Sequence, residues 1–236
     1  MLNHPLTTQP VHLSYRLRGS IPGIKLERLG QDYRTAKLSL NRHFTLRERH
    51  KDSLRYPEYE RQLAVIRREY FLRHDRLLDQ VKTGPRFLES AAAKKIVLDS
   101  WAFLARDVNL VIYAISVMSN HVHVLLRAAE EDACIPLRPL LYRHKHFTGL
   151  ELNKLHKCFG RRVWHDKVFD GDVRPGKFSQ VLWYILNNPR KAGITDDVLN
   201  WCGNWWHPQL WETHIHPRLL EMGLTQDCVR TDSLTE

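Results

Sequence analysis

A nearly continuous apolar segment, residues 110–118, is rich in β-branched and aromatic side chains. Two polar residues, Ser119 and Asn120, follow it, and a second strand-like segment then covers residues 121–127. A short polar turn between two such segments is typical of a β-hairpin. The composition of the first segment is typical of a central strand. The sequence therefore predicts a hairpin in the middle of a sheet.

Another strand and several helices are predicted before and after this hairpin in the chain. Apolar and polar residues alternate over 11–17, which is the period of a half-buried strand. Helical patterns of apolar residues follow Ser90, a predicted N-cap, and Pro136, a predicted first helical residue. A last helix is predicted over 178–188, where Pro189 stops it. This order indicates an α+β domain with helices on one face of an antiparallel sheet.

The domain organisation follows from composition along the chain. Residues 25–83 are rich in arginine and poor in strand signals, and we interpret them as a helical insertion after the first strand. Its arginines form either a solvated face or a surface that contacts phosphates. The segment 195–236 is a C-terminal tail whose tryptophans either pack on the domain or stack on bases. We therefore predict one domain over 1–236, with this insertion and this tail.

The charge and the cysteine content narrow the class of protein. Lys and Arg exceed Asp and Glu by 36 to 26, a net charge of +10, which favours a nucleic-acid partner first and an acidic membrane surface second. The four cysteines form no Cys-x-x-Cys pair, which excludes a zinc ribbon and disfavours a disulfide scaffold. No signal peptide and no apolar run of about 20 residues is present, so we predict a cytoplasmic protein.

The second strand of the hairpin begins with His121 and His123. Residues i and i+2 of a strand point to the same face about 6.5–7 Å apart, so both imidazoles can bind one divalent ion. The alternative is two polar side chains on an exposed face. Two further His-x-His sequences are weaker candidates: residues 144–146 lie in a helical pattern that separates the rings, and residues 214–216 lack an apolar strand.

The last predicted helix contains a second candidate group. Tyr184 and Asn188 are four residues apart and therefore lie on the same side of the helix. An amide oxygen is an acceptable ligand for a hard cation, so Asn188 can complete a His-His-Asn site with Tyr184 beside it. The alternatives are a tyrosine at the edge of the core and an asparagine at a helix end.

Four segments together resemble a known family. Residues 117–126 contain a methionine, a turn residue, an asparagine and the two histidines before an apolar run. Residues 184–193 contain a tyrosine followed four residues later by Asn-Pro and then Ala-Gly. Both resemble signatures of the single-tyrosine HUH transposases, specifically the REP-associated tyrosine transposases of bacteria. Residues 163–170 are similar to that family's tryptophan-containing hairpin, and residues 15–22 to its first strand and exit turn.

The resemblance implies a fold and a chemistry. The fold is a ferredoxin-like (RRM-like) antiparallel sheet with helices on one face. A divalent cation, Mg²⁺ or Mn²⁺, is held by His121, His123 and Asn188 and orients the scissile phosphate. Tyr184 attacks that phosphate and forms a 5′-phosphotyrosine intermediate with a free 3′-hydroxyl.

The resemblance also implies the partner, which is single-stranded or hairpin DNA such as a REP-like palindrome. No membrane partner is expected, and the protein acts as a monomer or a homodimer. The predicted DNA contacts are Arg16, Arg18, Arg143, Lys145, Arg161, Arg162, Trp164, Lys167, Arg174, Arg190 and Lys191. One alternative is a catalytically silent nucleic-acid-binding protein of the same fold. Another is a hydrolase that uses only the histidine pair, which explains neither the Tyr184–Asn188 spacing nor the charge.

Overall fold

The computed structural model describes residues 5–81 and 83–221. The chain divides into two compact units, one containing residues up to Arg18 together with those from Pro85 onward, the other comprising Gly19–Gly84. The predicted insertion, 25–83, belongs to the second unit. The last part of the predicted tail, 222–236, lies outside the described residues. Within the described ranges, no helix is both long and apolar enough to cross a bilayer.

The elements of the described residues are numbered in chain order. The strands are β1 (Val11–Leu17), β2 (Leu110–Val117), β3 (His121–Ala128), β4 (Trp164–Asp172) and β5 (Asn204–Trp206). The helices are α1 (Gly23–His43), α2 (Tyr56–Gln80), α3 (Ala91–Asp107), α4 (Leu137–Leu155), α5 (Phe178–Leu186), α6 (Asn188–Lys191) and α7 (His216–Glu221). Helices α1 and α2 form the second unit, which has a small apolar cluster of its own: Leu40, Phe44, Tyr59 and Leu63.

The sheet of the first unit has the strand order β4-β1-β3-β2-β5, and all neighbours are antiparallel. Helix α3 lies between β1 and β2 in the chain, and α4 lies between β3 and β4. This is the ferredoxin-like arrangement with one added edge strand, so the predicted fold class is confirmed. The predicted first strand and central hairpin are also present, and the Met118 amide donates to the His121 carbonyl across the turn at 2.9 Å.

The two faces of the sheet carry different helices. Val122, Val124 and Leu126 of β3 belong to the apolar cluster that α3 and α4 cover. The predicted N-cap of α3 is present, because the Ser90 hydroxyl accepts a hydrogen bond from the Ala93 amide at 3.2 Å. Leu125 of β3 instead packs with α5 residues and with the segment after residue 197. Helix α5 therefore lies on the face opposite α3 and α4.

Three local expectations need correction. The segment 163–170 does not form a hairpin, because residues 164–170 belong to one strand, β4, which lies at an edge of the sheet and pairs with β1. Pro189 is not the residue that ends the last helix. Helix α5 ends at Leu186, and a further short helix, α6, contains Pro189 in its first turn, where the missing amide hydrogen breaks no helical hydrogen bond. The sequence analysis also missed β5, a three-residue strand in the predicted tail that pairs with β2.

A buried polar network joins β1, α3 and α4 in the core. The Trp101 indole N–H donates to the Tyr15 hydroxyl at 2.9 Å, and that hydroxyl lies 2.6 Å from Nε2 of His144. Nδ1 of His144 lies 2.9 Å from the Ser100 hydroxyl. Each polar side chain of this network therefore has a hydrogen-bond partner, which is the condition for keeping such groups in a core.

Folding stability is expected to decrease in acid because of His144. Burial, and to a smaller extent Lys145, lower the pKa of His144 to about 3, whereas an unfolded histidine has a pKa near 6.5. Between these values only the unfolded chain binds the proton, so stability is lost as the pH falls, by up to about 1.4 kcal/mol per unit. Urea unfolding between pH 7 and pH 5 measures this slope.

The matched variants for this experiment are His144→Gln and His146→Gln, because His146 is exposed on the same helix. We expect the free energy of unfolding to depend less on pH in His144→Gln, by up to the equivalent of one bound proton, whatever the absolute stability of that variant. The dependence on pH should stay unchanged in His146→Gln. An unaltered slope in His144→Gln would mean that folded His144 binds its proton normally.

Candidate active site

His121 and His123 lie on β3 with their side chains on the α5 face of the sheet, since the alternate residues Val122 and Val124 face α3 and α4. Both side chains are buried, and the ring centroids are 4.9 Å apart with the ring planes at 85°. One ring nitrogen of each lies within 4.8 Å of the other. Two imidazoles in this arrangement can converge on one divalent ion.

The other ring nitrogen of each histidine has a hydrogen-bond partner. Nδ1 of His121 lies 2.6 Å from the Asn120 amide oxygen, which can only accept, so Nδ1 carries the hydrogen and Nε2 keeps a lone pair. Nδ1 of His123 lies 3.0 Å from Nε2 of His12 on β1. Metal-binding histidines commonly use their second nitrogen in this way, to orient the ring.

Tyr184 of α5 lies next to this pair. Its ring centroid is 6.0 Å from that of His123, with the planes at 88°, and 5.9 Å from that of His12. The Lys191 ammonium lies 3.7 Å from the centroid of the same ring. The structure thus brings together His123 from β3 with Tyr184 and Lys191 from the α5–α6 region, three side chains that the sequence singled out.

Asn188 begins α6, four residues after Tyr184, and its side chain is fully buried. Neither its amide oxygen nor its amide nitrogen has a hydrogen-bond partner among the described residues. A buried amide without partners costs about 1–3 kcal/mol, so a folded protein keeps one where it has another use. The donor set of two imidazoles and one amide oxygen fits a divalent cation.

The predicted DNA contacts fall into groups that differ in exposure. Lys145, Arg161 and Arg162 line one cleft of about 760 Å³ between α4 and the segment 160–168. Burial, the largest influence, lowers the pKa of Lys145 to about 8. Arg190 and Lys191 line a second cleft of about 400 Å³ beside α6. The other exposed members of the predicted set are Arg18, Arg143, Lys167 and Arg174.

Two members of the predicted set do not fit a surface role. The Trp164 side chain is buried, its indole N–H donates to the Thr148 hydroxyl at 2.9 Å, and its ring packs against Tyr15. Its ring therefore packs in the core, and the predicted contact of Trp164 with DNA needs correction. The Arg16 side chain is also buried.

Sequence reasoning missed three residues that the structure places at these sites. His12 contacts both His123 and Tyr184, although its alternation with apolar residues indicated only a polar strand face. Asn120 was interpreted as a turn residue, and its position directly before His121 was the available signal. Arg218 of α7 lines the smaller cleft together with Arg190 and Lys191, and it carried no sequence signal.

Similarity to known proteins is found among solved structures. No family model matches the chain, and no curated protein matches it. Among solved structures, the chain is similar to one described as a REP-associated tyrosine transposase bound to a REP hairpin, at 12% sequence identity and a TM-score of 0.49. The match covers 99% of this chain and 92% of the other.

Proposed function

We propose that this protein is a metal-dependent endonuclease and strand transferase that acts on single-stranded, hairpin-forming DNA. The observation that carries the proposal is the position of the Tyr184 ring, 6.0 Å from the ring of His123 and hence beside the histidine pair. A tyrosine beside two oriented imidazoles combines a nucleophile with a site for a cation, which a protein that only binds nucleic acid does not need.

The proposed reaction is a transesterification at phosphorus. The phenol oxygen of Tyr184 forms a bond to the scissile phosphorus, and the bond from phosphorus to the 3′ oxygen breaks. The phenol proton leaves to solvent, the departing 3′ oxygen takes up a proton, and the 5′ phosphate remains on Tyr184. A 3′-hydroxyl can later attack this phosphotyrosine and reform a phosphodiester, so rejoining needs no external energy source.

The side chains around Tyr184 have separate tasks. His121, His123 and Asn188 would hold a divalent cation, Mg²⁺ or Mn²⁺. When bound, that cation supplies Lewis-acid polarisation of the scissile phosphate. The Lys191 ammonium, 3.7 Å from the Tyr184 ring centroid, places positive charge where an anionic backbone must approach.

The basic clefts support DNA as the substrate. Cations lining a cleft attract phosphates, and the net charge of +10 adds a long-range field of the same sign. A single strand fits the proposal because a phosphate in a stiff duplex has less freedom to reach a partly buried tyrosine. A hairpin provides such a strand next to a paired stem.

The test uses a pool of oligonucleotides that share one hairpin stem and carry randomised single-stranded flanks. We expect incubation with Mn²⁺ to give a protein–DNA adduct that survives denaturation. With a 5′-phosphotyrosine, a label at the 3′ end of the DNA stays with the protein, and a label at the 5′ end appears in a shorter free strand. Chelation with EDTA abolishes both products.

The labels and controls also separate the alternatives. An adduct that carries the 5′ label instead would show that the 5′ oxygen, and not the 3′ oxygen, is the leaving group. Binding of the pool without any adduct, across Mg²⁺ and Mn²⁺, would favour a catalytically silent nucleic-acid-binding protein. A fully paired duplex of the same stem is the matched substrate control and should give no adduct.

A further inference from the structure

We propose that His12 is a positioning residue for this site, holding His123 in the tautomer that a cation requires and supporting the ring of Tyr184. The inference rests on the proposed function, since it names an additional part of the same site. It is drawn from contacts between β1, β3 and α5, all of which belong to the first unit.

The sheet register places His12 on the correct face. Ser14 lies opposite His123 on the neighbouring strand, and His12 lies opposite Leu125. Residues opposite one another in antiparallel strands share a face, so His12 and His123 are diagonal neighbours within reach of long side chains. Strand β1 is paired on both sides, with β3 and β4, which makes it a rigid support.

The hydrogen bond between the two rings carries the tautomer argument. Nε2 of His12 and Nδ1 of His123 are 3.0 Å apart, so a single hydrogen lies between them. When that hydrogen belongs to His123, its Nε2 has a lone pair for a cation and His12 is the acceptor. Asn120 plays the same part for His121, accepting from its Nδ1. Both histidines then present Nε2.

The ring of His12 also contacts the nucleophile. It stacks on the ring of His123 at 5.2 Å with 30° between the planes, and it meets the ring of Tyr184 edge-on at 5.9 Å. One imidazole therefore touches a metal-binding histidine and the proposed nucleophile at once. A change in the position of the His12 ring would therefore change the distance and angle between the rings of His123 and Tyr184.

Two substitutions separate positioning from simple packing. In His12→Gln the side-chain amide can place an acceptor near the former Nε2, whereas His12→Leu fills a similar volume and accepts nothing. A residue that only packs would tolerate leucine at least as well as glutamine. The positioning role predicts that glutamine rescues the properties that leucine loses. His146→Leu, on the exposed face of α4, is the matched control.

The first measurement is made on the metal-free full-length protein with ¹⁵N-labelled histidine. Long-range ¹H–¹⁵N spectra report which ring nitrogen is protonated, and a His123→Gln variant assigns the His123 signals. We expect the wild-type protein and His12→Gln to show His123 protonated at Nδ1. We expect His12→Leu to show a mixture of tautomers.

The second measurement is the affinity for Mn²⁺ by titration calorimetry. Partners of metal ligands commonly account for 10–100-fold in affinity, so we expect His12→Leu to bind Mn²⁺ about 10–100-fold more weakly. His12→Gln should stay within about threefold of the wild-type protein, and His146→Leu should be unchanged.

An unchanged tautomer and an unchanged affinity in His12→Leu would overturn the proposal. If that variant does not fold, His12→Gln decides the matter, because a folded glutamine variant with an altered His123 tautomer would also overturn it. The expected tautomer and affinity results in a protein that never forms a DNA adduct would keep the role of His12 and remove the strand-transfer function.

Discussion

The Tyr184→Phe variant is expected to form no covalent adduct with hairpin DNA while it binds that DNA as the wild-type protein does. Phenylalanine keeps the ring beside His123 and Lys191 and removes only the oxygen that attacks phosphorus in the proposed reaction. Loss of a nucleophile lowers catalytic rates by several orders of magnitude, so we expect at least about a 10³-fold decrease. Denaturing gels measure the adduct, and fluorescence anisotropy measures binding.

The control for this variant is Tyr113→Phe. Tyr113 packs in the same apolar cluster as Tyr184, but its hydroxyl accepts a hydrogen bond from Arg127 at 2.7 Å and takes no part in the site. Its adduct yield should equal that of the wild-type protein. An adduct in Tyr184→Phe at the wild-type level would show that another residue is the nucleophile.

The Asn188→Leu variant is expected to be as stable as the wild-type protein or more stable, and at the same time inactive. The Asn188 side chain is fully buried, and both of its polar atoms lack hydrogen-bond partners among the described residues. Replacement by an apolar side chain of similar size removes that penalty, a gain of up to about 1–3 kcal/mol. The same change removes the amide oxygen, so Mn²⁺ affinity and DNA cleavage decrease.

Asn153→Leu is the matched comparison and should have the opposite effect on stability. Asn153 is also buried, but its amide accepts from the Arg161 guanidinium at 3.0 Å and donates to the Arg161 carbonyl at 2.8 Å. Its loss leaves those groups without partners and destabilises the fold. If Asn188→Leu unfolds at lower urea than the wild-type protein and still cleaves DNA, then Asn188 is a structural residue rather than a ligand.

Several elements could be predicted because their signals are local. Alternation over 11–17 matches β1 residue for residue, and the turn at Ser119 and Asn120 joins β2 to β3. The Ser90 hydroxyl caps α3 as its sequence position indicated. Strand period, turn chemistry and helix capping each depend on a few neighbouring residues, so they are visible without knowledge of the rest of the chain.

The errors concern burial and long-range pairing. Trp164 was predicted to contact DNA, but its ring packs against Tyr15 of β1, which is distant in the chain, and its indole N–H bonds to Thr148 of α4. His12 looked like a polar residue on a strand face, and its contact with His123 depends on the register between β1 and β3. No local pattern specifies which strands become neighbours.

The sequence by itself determined the chemistry of the site and its short-range geometry. Two imidazoles alternate with apolar residues on one strand, and a phenol precedes an amide by one helical turn. Only the tertiary structure decided that Tyr184 lies beside His123 and that His12 joins them. That proximity arises from antiparallel strand pairing and from the burial of α5 against the second face of the sheet. Burial of apolar surface is non-directional, so it is the assembled fold that brings these side chains together.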